Sequence, residues 1–162
     1  MAAKVKPVAE GDHTLTAHLS VRGATAAIEF YQKAFGAQVL FVHKMPDGKV
    51  MHATLQIGDS KLMLADEFPG MGAKSPQALG GSPVTLSLIV EDVDTLWNRA
   101  VAAGAKVTMP LANQFWGDRY GHLEDPFGQT WALLSHVEEV PREEMERRAN
   151  ALFSQAPKKA GA

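Results

Sequence analysis

The chain has no cysteine, which excludes a disulfide framework, thiolate metal sites and a cysteine nucleophile together. Neither sign of charge is in excess. Sixteen Lys and Arg against 18 Asp and Glu leave a formal net charge of −2 without a basic stripe, so nucleic acid is not an expected partner. No stretch approaches the ~20 apolar residues of a membrane span. Residues 1–13 hold two lysines but no apolar run of signal-peptide length. A cytoplasmic protein with no membrane partner is the expectation. Gly-x-Ser-x-Gly and phosphate-loop patterns are also missing, which removes support for hydrolase and nucleotide readings. At 162 residues the chain buries roughly 70% of its unfolded surface, enough to fold without disulfides or a structural metal.

What is present is a repetition. Residues 15–21 alternate, with Leu15, Ala17, Leu19 and Val21 on one face and Thr16, His18 and Ser20 on the other. A helical stripe follows, Ala24, Ala27, Ile28, Tyr31, Ala34 and Phe35, with Thr25 as the expected N-cap and Gly36 as the stop. Strands are expected over 38–45, 50–57 and 61–66, the first two joined by a turn at Pro46-Asp47-Gly48. The same order returns one period later. Val90 closes a strand 69 residues after Val21, and Gly104 closes a helix 68 residues after Gly36. Asp92 caps that second helix, whose stripe is Val93, Leu96, Trp97 and Ala100. Strands follow at 106–109, 119–123 and 129–135, with Asp125-Pro126-Phe127-Gly128 as a turn. A period of about 70 residues occurring twice implies two copies of one supersecondary unit with a cleft between them.

The domain plan is a tail over 1–13, a first βαβββ module over 14–68, a linker over 69–83 and a second module over 84–140. A helix over 141–153 and a tail over 154–162 complete it. Pro141 begins that helix, Glu143 and Glu144 precede Arg147 and Arg148 by four residues, and Met145, Ala149, Leu152 and Phe153 form a docking stripe.

The segments Ala27-Ile28-Glu29-Phe30-Tyr31, Phe35-Gly36-Ala37, Val90-Glu91-Asp92-Val93-Asp94, Ala103-Gly104-Ala105 and Asp125-Pro126-Phe127-Gly128 resemble the vicinal oxygen chelate superfamily. That superfamily includes glyoxalase I, extradiol dioxygenases, and fosfomycin- and bleomycin-resistance proteins. Met51-His52-Ala53, Ile57-Gly58-Asp59-Ser60 and the run from Trp116 to Gly121 resemble its PhnB-like branch. The resemblance implies an α+β fold in which two βαβββ modules form a cup-shaped mixed sheet, with a C-terminal helix added. It also implies dimers that share or pair their cups.

Metal enzymes of the superfamily take one ligand from the first and fourth strand of each module. On this sequence those positions fall on Thr16, Met63, Thr85 and Ala132. Hydroxyls, a thioether and a methyl cannot replace His and Glu for a hard or borderline cation. No metal or other cofactor is therefore expected, and whether the chain is an enzyme stays open.

The leading expectation is a metal-free, bleomycin-resistance-like homodimer that sequesters an aromatic or amphipathic small molecule. His18, His52, Trp116, Arg119, Tyr120 and Glu67 are the candidate contacts. Trp116 and Tyr120 offer flat, low-entropy surfaces, and Arg119 offers a fork for a carboxylate, although Arg119 paired with Asp118 or Glu124 is the plain structural alternative. Trp97 and Trp131 are expected in the core, while Phe30, Phe41 and Met109 stay unassigned. One alternative is a lyase, isomerase or dioxygenase with a metal off register on His18, His52 and Glu67, with His136 matching Glu67 under the repeat. The other is an interaction module without a ligand.

Overall fold

The computed structural model describes residues 5–154; the expected tail segments 1–4 and 155–162 lie outside the described residues. The first module comprises β1 (Ala17–Val21), α1 (Ala24–Phe35), β2 (Gln38–Lys44), β3 (Val50–Ile57) and β4 (Ser60–Asp66). A four-residue helix, α2 (Pro76–Leu79), stands in the connector. The second module comprises β5 (Thr85–Ile89), α3 (Val93–Ala103), β6 (Lys106–Asn113), β7 (Asp118–Glu124) and β8 (Thr130–His136), and α4 (Arg142–Ser154) follows it. The two sheets have the same order, β1-β4-β3-β2 and β5-β8-β7-β6. In each, the first strand lies parallel to the last and the remaining pairs are antiparallel. A helix between the first and second strands provides the long connection that a parallel pair demands.

Alternation along the strands separates two faces in each sheet. Leu19, Val21, Leu55, Leu62 and Leu64 are buried on the first sheet's helix-covered face, as are Leu123, Trp131 and Leu133 on the second's. α1 serves both modules. The Phe35 ring lies 4.6 Å from Trp131, Phe30 lies 6.2 Å from Phe127, and the Tyr31 hydroxyl donates to Asp125 Oδ2 at 2.8 Å. Its buried arc is accordingly wide, running through Ala24, Ala27, Ile28, Phe30, Tyr31, Ala34 and Phe35, while α3 buries only Val93 and Ala100. At roughly 1.5–3 kcal/mol for each large apolar side chain removed from water, α1 and the aromatic residues it meets join the modules.

Some local expectations change. Thr25 does not cap α1. The helix starts at Ala24 after Gly23, whose φ of 82° is left-handed, and no side chain of the segment caps it. Instead Asp66, at the end of β4, accepts the N–H groups of Gly23 and Ala24 on one carboxylate oxygen and that of Val50 on the other. A carboxylate brought in by tertiary structure satisfies the orphan donors that a local hydroxyl was expected to take. Asp92 does cap α3, accepting from the Thr95 backbone and hydroxyl.

β6 extends past 109 through Pro110 to Asn113 with register shifts. It is an edge strand, where a missing N–H is tolerated. The connector gains α2 because Ser75 caps it and Pro76 stands at its start. The stripe on α4 is not buried. Leu152 and Phe153 are exposed, and the helix is tethered by Arg148 to Glu138 and by the Phe153 ring against Phe115. No described helix is long and apolar enough to cross a membrane.

Candidate functional site

The side chains with chemistry to offer collect on the faces that α1 and α3 leave uncovered. In the first sheet, register places His18 beside Met63, Met63 beside Thr54, and Phe41 beside Thr54. His52 lies two residues along the same strand from Thr54, and its Nε2 is 3.1 Å from the Thr54 hydroxyl. The His18 and His52 rings meet edge to face at 5.5 Å, with Phe41 6.2 Å from His52. Partial burial, then repulsion from the neighbouring His52 ring, holds His18 below the ordinary imidazole pKa. His18 is therefore biased towards the neutral imidazole, able to donate or accept a hydrogen bond at neutral pH. Ser20, on the same strand face, has a buried hydroxyl oxygen with no hydrogen-bond partner.

The second sheet repeats the design with different residues. Met63 and Ala132 are equivalent under the internal repeat, so Thr54 matches His122 and His52 matches Tyr120. The Tyr120 hydroxyl lies 2.6 Å from His122 Nε2, where the first sheet has its His52–Thr54 contact. Trp116 stacks edgewise on Tyr120 at 5.6 Å and on Phe115 at 5.0 Å, and its indole N–H donates to Asp118 Oδ2 at 2.8 Å. The other Asp118 oxygen contacts His136 at 2.9 Å; this contact, reinforced by Glu139, holds His136 above its usual pKa. The run Phe115, Trp116, Tyr120, His122 thus forms a half-buried aromatic wall with polar edges.

Of the six residues singled out from sequence, His18 and His52 come together, and Trp116 and Tyr120 come together on the other sheet. Arg119 joins neither group. It alternates to the opposite face of β7 and clamps Asp94 at the start of α3 through two hydrogen bonds of 2.8 and 2.7 Å. Glu67 lies just past β4, where Arg22 and Ser75 occupy its carboxylate and lower its pKa. Thr54, His122, Asp118 and Ser20 were missed. Alternation along 50–57 sets Thr54 on the face of His52, but the partner contacts depend on registers that no local pattern encodes.

The four family metal positions do not fit a cation. Thr16 precedes β1, Thr85 begins β5, Met63 is half-buried and Ala132 is fully buried, and none offers imidazole or carboxylate. Among the described residues, no group of three or more His, Asp or Glu side chains is arranged to hold a metal ion. His18 and His52 are close, but Glu67 is engaged elsewhere.

With that geometry in view, the model of the Glyoxalase/Bleomycin resistance protein/Dioxygenase superfamily matches residues 12–133. The chain belongs to that superfamily. An uncharacterised protein of Mycobacterium bovis is 47% identical over 149 residues, covering 90% of this chain and 94% of its own. Among solved structures, TioX from Micromonospora sp. ML1 superposes with a TM-score of 0.62 at 24% identity, covering 78% of this chain and 100% of TioX. A PhnB protein of Bacillus cereus superposes with a TM-score of 0.60 at 22% identity, covering 76% of this chain and 99% of its own. These two show the fold alone. Superfamily membership accounts for the doubled βαβββ architecture and for the PhnB-like motifs.

Proposed function

We propose that this superfamily member is a small-molecule-binding protein of the bleomycin-resistance kind. It holds an aromatic or amphipathic ligand against its helix-free faces, as a cytoplasmic homodimer without a resident metal. The observation that carries the reading is the duplicated polar pair set beside aromatic rings. His52–Thr54 next to Phe41 and Tyr120–His122 next to Trp116 occupy equivalent positions in the two modules. Ligand sites combine flat apolar surface with a few placed polar groups, and both faces have that make-up. Exposed apolar side chains on edge strands, Val39, Leu40 and Phe41 on β2 and Ile89 on β5, support burial against a second copy.

Thermal shift with a panel of small aromatics and antibiotics tests this, because a ligand that binds the native state raises the melting point. At least one compound should stabilise the chain, and Trp116→Ala should abolish that shift. A flat panel contradicts the proposal and favours an interaction module. Metal analysis of protein purified without chelator should find metal far below one ion per chain. Near-stoichiometric zinc, nickel, manganese or iron contradicts it.

A second reading, a metal-dependent lyase, isomerase or dioxygenase, is favoured by one observation, the 5.5 Å approach of His18 to His52. It requires His52→Ala to remove metal and turnover together. Metal content unchanged by that substitution rules it out.

A further inference from the structure

A cavity of about 430 Å³ opens at the seam between the modules, away from the His52 and Tyr120 pairs, where β1 and β4 come near β5 and β8. Its walls are mainly apolar, with Leu62 from one sheet and Leu86, Leu88 and Trp131 from the other, and His13, Thr16, Ser60 and Ser87 add polar groups. That volume lies within the range of drug-sized ligand sites. One fixed charge borders it. Lys61, on β4, is only 19% exposed on its side chain, and its ammonium is held at 2.5 Å by Asp12 of the segment preceding β1. Asp12 is 37% exposed and belongs to a stretch outside any helix or strand, so it competes with solvent for that contact.

We infer that this seam is a second binding site, which takes an amphipathic monoanion. An apolar body fills the space against Leu86, Leu88 and Trp131, and a carboxylate displaces Asp12 from Lys61. A lysine withdrawn from water needs a charged partner, and an apolar cavity with a single cation at its margin selects a ligand with one anionic end. A purely structural Lys61–Asp12 pair would need no cavity beside it. The inference is independent of the proposal for the helix-free faces, because it uses none of the same side chains.

Isothermal titration of the full chain with decanoate and with 2-naphthoate tests it. At least one should bind at one per chain. Replacing Lys61 by Met should weaken binding roughly ten-fold, the scale of a lost charge-assisted hydrogen bond, while Lys61→Arg retains it. Asp12→Asn should tighten binding, since the competing carboxylate is gone; a purely structural role for the pair predicts no such gain. Val84→Phe should reduce binding by filling the cavity from its rim. Val84 lines the cavity and is 56% exposed, so this variant spares the core. His52→Ala should leave unchanged the one-per-chain binding that Lys61→Met weakens. No binding by either probe overturns the inference, as does binding indifferent to Asp12→Asn and Val84→Phe. Binding lost in His52→Ala also overturns it, because the anion would then sit on the helix-free face.

Discussion

Asp125 is 4% exposed and accepts four hydrogen bonds, from Tyr31 of the other module, the Trp131 indole and the backbone of Phe127 and Gln129. It shapes its own turn and also fastens α1 to β8. Burial raises its pKa, and the hydrogen bonds oppose that rise only in part. Burial also raises the Tyr31 pKa, with the Asp125 charge adding to it, so the phenol stays a donor. Asp125→Asn keeps one acceptor for the turn but presents an amide donor to donors. It should cost about 1–3 kcal/mol in chemical denaturation at neutral pH. Because the folded pKa is raised, the Asp125 contribution is fully present below the unfolded value near 3.8 and declines as pH rises through the folded value. The gap between wild type and Asp125→Asn should therefore narrow from pH 3 towards pH 7, and a gap that widens over that range contradicts this account. Sequence reading placed Asp125 correctly in a turn but could not foresee the Tyr31 contact, 94 residues away in the chain.

At the scale of elements, close approach decides where substitution is tolerated. A Cβ on Gly121 would meet the Trp97 ring at 2.7 Å and the Leu111 backbone at 2.9 Å. Gly121→Ala should destabilise by about 1–3 kcal/mol, the usual cost of overpacking, because α3 must lift off β7. Denaturant midpoints measure this, and a neutral result would mean Trp97 packs more loosely than the distances state. The periodic elements were legible from sequence because burial selects spacing. The stripes of α1 and α3, the alternation of β1 and the Asp92 cap all rest on neighbours a few residues apart. The α1 cap was not legible, since Asp66 arrives from the end of β4. Arg119 was misplaced because adjacent strand residues point to opposite faces, so its neighbour Tyr120 and Arg119 itself cannot both line one wall.

At the scale of the whole molecule, the repeat built one scaffold twice while its exposed faces diverged. Where one module sets His52 against Thr54, the other sets Tyr120 against His122. The period was visible in the sequence, but the chemical pairing of the two faces emerges only when strand registers are known. Ile89, 73% exposed on the free edge of β5, is the kind of side chain that a second copy would cover. Sedimentation should give a dimer, twice 17.5 kDa, and Ile89→Asp should shift it to monomer; a wild-type chain that sediments as monomer at all concentrations removes the dimer from the proposal.

Three tryptophans report on three regions: Trp116 on the aromatic wall, Trp131 at the seam cavity and Trp97 beneath α3. The most direct test of ligand binding at the helix-free faces follows their indole N–H resonances while an aromatic ligand panel is titrated. The Trp116 signal should move with saturation for at least one compound while Trp97 stays still. If no compound moves Trp116, or all three signals respond alike, ligand binding at the helix-free faces is contradicted.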